Sequence, residues 1–111
     1  MSVPTIELSN VPAELPEGVV VLDVREPEEW QAGHIEGAVH IPLGTLPVRL
    51  HDVPDAQQLL VVCKVGGRSA QACMYLAQQG QQAVNLAGGM LEWEAAGRPM
   101  VSETGQPPYV A

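Results

Sequence analysis

The chain is short of aromatic and of basic residues. Phe, Trp and Tyr make up 4% of its 111 residues and Phe is absent, so the core must be built from aliphatic side chains and Met. Five Lys and Arg stand against 13 Asp and Glu, which gives a net charge of −8. Nucleic-acid binding needs a basic footprint, so the charge argues against that partner and equally against an anionic membrane surface.

Long apolar runs and cysteine pairs are also missing. No stretch approaches the roughly 20 apolar residues that span a bilayer, and Met1-Ser2-Val3-Pro4 lacks the basic and apolar regions of a signal peptide. The two cysteines form neither a disulfide framework nor a Cys-x-x-Cys pair, and no two histidines have helical ligand spacing. We therefore expect a cytoplasmic protein with reduced thiols, without a metal site and without a cofactor.

The apolar runs alternate between strand and helix patterns along a length that suits one domain. The patterns predict strands at 5–8, 19–24, 38–41, 59–62 and 83–86, and helices at 27–32, 43–50, 68–79 and 90–96. Such alternation favours a five-stranded, mainly parallel sheet with helices on both faces, an α/β fold. Residues 1–100 make up this domain, and 101–111 is a C-terminal tail that either packs on the body or is disordered.

One predicted strand delivers Cys63 into a short glycine-containing loop that leads directly into a helix. Backbone N–H groups of such a turn, together with a helix N-terminus, attract negative charge and favour the thiolate form of a cysteine. Gly66 and Gly67 can adopt backbone angles closed to other residues, which lets a loop wrap round one atom. We therefore predict that Cys63 is a nucleophile, because simple core packing does not explain the glycines or the adjacent cations.

The rest of the loop supplies the predicted substrate-binding residues. Its two cations, Lys64 and Arg68, either hold an anionic donor or are simply solvated. Arg in particular grips oxyanions through two parallel hydrogen bonds. Cys73 lies at helical spacing from Leu76 and is predicted to be a core residue. The substrate-binding set is Lys64, Val65, Gly66, Gly67, Arg68 and Ser69.

Three sequence segments in the right order resemble the signatures of rhodanese-like sulfurtransferase domains. They are Asp23-Val24-Arg25-Glu26-Pro27-Glu28-Glu29-Trp30 with Gly33-His34-Ile35-Glu36-Gly37-Ala38, then Val62-Cys63-Lys64-Val65-Gly66-Gly67-Arg68-Ser69, then Leu86-Ala87-Gly88-Gly89-Met90 with Trp93. The resemblance covers about residues 5–100. It implies a rhodanese-like α/β domain whose cysteine takes a sulfane sulfur from a donor such as thiosulfate as a persulfide. The acceptor would be cyanide, a small thiol or a protein thiol.

The resemblance also implies supporting roles. Asp23 and Arg25 are expected beneath or beside the loop, with Arg25 paired to Glu29, and His34 is expected to hold loops together by hydrogen bonds rather than to act as a base. His40 and His51 receive no role.

Two alternative functions are a cysteine phosphatase and a module that serves a protein partner. Cysteine phosphatases on the same fold need five residues between cysteine and arginine, whereas four separate Cys63 from Arg68. The smaller ring suits one sulfur atom better than a phosphate. The other alternative is a persulfide relay or binding module that serves a protein partner, and the sequence does not choose between that relay and a free thiosulfate sulfurtransferase.

Overall fold

The computed structural model describes residues 3–111 and contains one five-stranded sheet. Met1 and Ser2, on which the expected lack of a signal peptide partly rests, lie outside the described residues. The strands are β1 (Thr5–Ile6), β2 (Val19–Asp23), β3 (Val39–His40), β4 (Gln58–Val62) and β5 (Ala83–Leu86). The α-helices are α1 (Pro27–Ala32), α2 (Gly67–Gln78) and α3 (Gly89–Ala95).

The strand order is β1-β5-β4-β2-β3 and every pairing is parallel, which confirms the predicted sheet. Strand β4 lies in the middle and is buried on both faces, as its unbroken apolar sequence predicts. Leu59 and Val61 face one core cluster, whereas Leu60 and Val62 face the other. The central strand therefore ends at Val62, at the carboxyl edge of the sheet, and Cys63 is the next residue.

Helices cover both faces, as expected. Leu76 of α2 packs in the first core cluster, and Met90 and Trp93 of α3 pack in the second. Helix α1 begins with Pro27 at a first-turn position and has a capping box between Glu26 and Glu29. This box fixes the position of the Glu29 carboxylate, which also binds Arg68.

Two predicted elements differ from the structure. The helix expected at 43–50 is instead a 3₁₀ segment, Leu43–Asp52, with a kink at Arg49, because Pro47 inside the segment lacks the N–H that an α-helix needs. The strand expected at 5–8 ends at Ile6, and Leu8–Asn10 forms a 3₁₀ turn.

The C-terminal segment packs on the body of the protein. Val101 forms an antiparallel bridge with His34, and the Tyr109 amide donates to the Ala32 carbonyl at 3.1 Å. Glu94, which lies in α3, accepts a hydrogen bond from the Val110 amide at 2.8 Å. These contacts hold the chain after residue 100 against α1 and α3.

Candidate active site

Cys63 lies directly after β4, and its sulfur receives hydrogen bonds from the loop that follows. The Gly66 amide donates to Cys63 Sγ at 3.1 Å, and Ser69 Oγ lies 3.3 Å from the same sulfur. Gly66 has a φ of +110°, a conformation that few other residues adopt, and this turn leads the chain from the loop into α2. The loop therefore curls round one atom, as the sequence predicts.

The balance of burial and hydrogen bonding favours the thiolate. Burial of Cys63, which is 1% exposed, raises the pKa of its thiol, but hydrogen bonds from the Ser69 hydroxyl and from the amides of Ser69, Gly66 and Val65 lower the pKa by more. The resulting pKa lies below the ordinary value of a cysteine. A thiolate is the nucleophilic form of cysteine, so these contacts favour the reactive form of this side chain.

The pKa of the second cysteine, Cys73, is shifted in the opposite direction. Desolvation, with a smaller contribution from the charge on Cys63, raises the pKa of Cys73 to about 12. Its side chain is buried in the core beside Leu76. The prediction that Cys73 is a core residue is confirmed.

The first turn of α3 holds the start of the loop's backbone, at Cys63 and Lys64. Met90 N donates to the Cys63 carbonyl at 2.8 Å and Leu91 N donates to the Lys64 carbonyl at 3.1 Å. Gly89 makes this approach possible, since a Cβ at this position would lie 2.6 Å from the Lys64 carbonyl oxygen. Gly89 is therefore a requirement for close packing between α3 and the cysteine loop.

Asn85 is a site residue that the sequence analysis missed. Its Nδ2 donates to the Gly66 carbonyl at 3.1 Å, and its Oδ1 accepts from Ser69 Oγ at 2.5 Å. A carbonyl oxygen can only accept, so the amide nitrogen must face Gly66 and the amide oxygen must face Ser69. An asparagine within the otherwise apolar strand β5 was the available signal, because a buried amide needs partners.

Arg68 does not stand free above Cys63 but is bound to Glu29 of α1. Its two terminal nitrogens lie 2.7 and 2.9 Å from the two carboxylate oxygens. This pairing was not expected, since 39 residues separate the partners. Lys64 is half-buried, and within residues 3–111 no carboxylate lies at ion-pair distance from it.

The expected pairing of Arg25 with Glu29 is wrong. Arg25 is fully buried and instead binds Asp23, with a closest distance of 2.7 Å, and it also donates to the Gly33 carbonyl at 2.7 Å. Arg25 precedes α1, so helical spacing does not place it beside Glu29. Asp23 pairs in register with Val62, which places the ion pair beside the strand that leads to Cys63.

His34 holds two segments together, as expected. Its ring donates a hydrogen bond from Nδ1 to the Trp30 carbonyl at 2.8 Å and stacks on the Trp30 ring with 3.5 Å between centroids, while its backbone pairs with Val101. His40, which had no assigned role, bonds to the Arg25 carbonyl at 2.8 Å and also stacks on Trp30. His51 is exposed and lies near Asp52.

Residues 3–111 offer neither a cluster of metal ligands nor a helix that could span a membrane. They contain no group of three or more His, Cys, Asp or Glu placed to hold a metal ion. No helix in this range is both long enough and apolar enough to cross a membrane.

Comparison with known proteins identifies the family. The model of the rhodanese-like domain matches residues 10–96. A protein of Allochromatium vinosum named sulfurtransferase is 38% identical over 90 residues, covering 80% of this chain and 84% of that protein. The thiosulfate sulfurtransferase GlpE of Pseudoalteromonas translucida is 36% identical over 81 residues, covering 72% of this chain and 77% of that protein.

A solved structure agrees with these matches. The rhodanese-related protein of Thermoplasma volcanium superimposes with a TM-score of 0.77 at 31% identity, over 88% of this chain and 97% of that chain. The chain belongs to the rhodanese-like sulfurtransferase family.

Proposed function

We propose that this protein is a thiosulfate sulfurtransferase of the rhodanese type, with Cys63 as the sulfur carrier. The observation that carries the proposal is the convergence of the Gly66 amide and the Ser69 hydroxyl on Cys63 Sγ. Such donors stabilise a thiolate, and they would stabilise the terminal sulfur of a persulfide in the same way. The expected cytoplasmic compartment suits this chemistry because it keeps thiols reduced.

The reaction proceeds as two displacements on sulfur. In the first, the Cys63 thiolate attacks the outer sulfur of thiosulfate, a sulfur–sulfur bond forms to Sγ, and sulfite leaves with the electron pair of the bond that breaks. In the second, cyanide or a thiolate attacks the same outer sulfur, and the electron pair of the persulfide bond returns to Cys63 Sγ. Each step conserves charge and needs no redox cofactor, which is the advantage of covalent catalysis here.

The loop residues divide between these tasks. The amides of Val65, Gly66 and Ser69 and the Ser69 hydroxyl act on the sulfur. Lys64 and Arg68 bind the anionic part of the donor, while Gly67 begins α2 and allows the loop to enter the helix. Asp23, Arg25 and His34 support this framework from the neighbouring segments.

Intact mass tests the assignment of the sulfur carrier. After incubation with thiosulfate and removal of excess donor, the wild-type protein should gain the mass of one sulfur atom. Cys73→Ser should gain the same mass and Cys63→Ser should gain none. A gain that depends on Cys73 instead of Cys63 would contradict the assignment.

A protein thiol as acceptor is the second candidate, and one observation favours it. Val65 in the loop is 60% exposed, and Leu91, whose amide binds the Lys64 carbonyl, is 39% exposed. An exposed apolar pair beside a reactive sulfur suits contact with a protein surface. Under this relay function, Val65→Ser should slow transfer to a protein thiol and leave transfer to cyanide unchanged.

A further inference from the structure

We infer that Glu29 is a specificity-determining residue, which competes with the sulfur donor for Arg68 and so favours donors with one negative charge over those with two. The inference rests on the proposed function, because it assumes that Arg68 contacts the donor.

The geometry of the pair leaves Arg68 poorly prepared for a second anion. Its guanidinium forms a bidentate contact with Glu29, and this contact uses the two parallel N–H groups that best match an oxyanion. A donor that binds Arg68 in the same manner must first displace the carboxylate. The side chain of Glu29 is only 17% exposed, so water does little to stabilise the carboxylate once Arg68 has left it.

Glu29 is itself held in place, so it does not swing away freely. Its Oε1 also accepts the Glu26 amide at 2.9 Å, as part of the capping box of α1. The hydrogen bonds from Arg68, opposed by burial and assisted by the Glu26 amide, lower the pKa of Glu29 to about 2. The carboxylate is therefore charged at any pH where the protein works.

The charges around the loop then set the preferred donor. Arg68 is paired with Glu29 and Arg25 with Asp23, which leaves Lys64, the residue after Cys63 in the sequence, as the loop cation without an ion-pair partner within residues 3–111. One free cation in a chain of net charge −8 balances one negative charge on a donor and not two. Glu29 therefore weakens the binding of thiosulfate, which carries two charges, more than that of sulfane donors with a single charge, such as organic thiosulfonates or persulfides.

Glu29→Gln tests the inference, since glutamine is compatible with the capping box but removes the charge. Two donors are compared with cyanide as the acceptor: thiosulfate, which carries two negative charges, and methanethiosulfonate, which carries one. We expect the KM for thiosulfate to fall roughly threefold to tenfold, as befits a partly exposed ion pair, and the KM for methanethiosulfonate to fall less. Glu28→Gln is the matched control, because Glu28 is exposed on the same helix and its removal changes the net charge equally.

A second background shows whether the effect acts through Arg68. In an Arg68→Met protein, Glu29→Gln should lower the KM for thiosulfate by less than it does in the wild-type protein, because only the direct repulsion between the carboxylate and the donor is then removed. An equal change for both donors, no change, or a rise in the KM for thiosulfate in the single variant would overturn the inference. Intact mass separates this failure from that of the proposed function, which fails only if no donor adds sulfur to Cys63 in the wild-type protein.

Discussion

Ser69 Oγ lies 2.5 Å from Asn85 Oδ1 while remaining 3.3 Å from Cys63 Sγ, so a single hydroxyl hydrogen faces two acceptors. When Cys63 is a neutral thiol, its own hydrogen can point to Ser69, which in turn donates to Asn85. When Cys63 ionises, the Ser69 hydrogen serves the sulfur. The Ser69 hydroxyl can therefore donate to either acceptor, and charge on Cys63 favours donation to the sulfur.

The first prediction concerns this hydroxyl. Ser69→Ala should raise the pKa of Cys63, because a hydrogen bond to a charged group contributes about 1.5–3 kcal/mol, or roughly one to two pH units. The rate of alkylation of Cys63 by iodoacetamide, followed against pH by mass spectrometry, measures this pKa. Cys73 does not interfere, since its own pKa is about 12. Ser9→Ala, at an exposed position, is the control and should leave the profile unchanged.

Asn85 should behave differently from Ser69. Asn85→Ala frees the Ser69 hydrogen for the sulfur, so the pKa of Cys63 should not rise, but it leaves the Gly66 carbonyl without its side-chain donor. The loop is then less well positioned, and kcat/KM for sulfur transfer should fall. A rise of the Cys63 pKa as large as that of Ser69→Ala would contradict the separate roles assigned to the two residues.

The features of the candidate site that could be predicted from the sequence are those formed by residues close together in the chain. Cys63, Gly66 and the start of α2 follow one another within a few residues, and a strand, a turn and a helix N-terminus are each marked by nearby residue types. The contacts that were missed or mistaken join distant segments: Ser69 with Asn85, and Arg68 with Glu29. Only the sheet order, with β5 beside β4, brings Asn85 next to the loop. For Arg25, four carboxylates lie within four residues in the sequence, and the fold decided that Arg25 is buried with Asp23.

The cations of the loop give the next prediction. Replacing Lys64 or Arg68 by Met should raise the KM for thiosulfate, or lower kcat/KM, without unfolding the protein. Loss of one charge-assisted contact changes binding by roughly tenfold to over a hundredfold. Lys64→Met should have the larger effect, because Arg68 is partly neutralised by Glu29. Unchanged activity in the double variant would mean that the loop amides alone bind the donor.

Acid should weaken the link between α1 and α2. A carboxyl whose pKa is lowered on folding stabilises the folded state above its unfolded pKa and loses this effect as the pH falls through its folded pKa. For Glu29 the effect should be complete above about pH 4.5 and lost as the pH falls towards about 2. Urea unfolding of the wild-type protein and Glu29→Gln should differ by up to about 1 kcal/mol near neutral pH, since Arg68 is partly exposed. A difference that stays constant down to pH 2 would show that the carboxylate charge is not its source.

Loop size separates sulfur chemistry from phosphate chemistry. Four residues stand between Cys63 and Arg68, the Gly66 amide and the Ser69 hydroxyl converge on one sulfur atom, and Arg68 is held by Glu29. The wild-type protein should therefore transfer sulfur from thiosulfate to cyanide and hydrolyse aryl phosphates negligibly. The two assays, run side by side on one preparation, are the measurement, with Cys63→Ser as the inactive control. Phosphate turnover without sulfur transfer would refute both the interpretation of the loop and the proposed function.

Inserting a glycine between Gly66 and Gly67 tests directly whether the size of the loop determines its chemistry. The insertion gives the loop the spacing of a cysteine phosphatase, and it also moves the Ser69 hydroxyl and the Gly66 amide relative to Cys63 Sγ. Sulfur transfer should be lost, because donors that converge on one atom no longer meet there. Weak binding of phosphate or arsenate, measured by calorimetry, is the gain that a wider ring permits, although turnover would still lack a general acid. If the inserted protein is folded by circular dichroism and keeps wild-type sulfur transfer, the dimensions of the loop do not determine its chemistry.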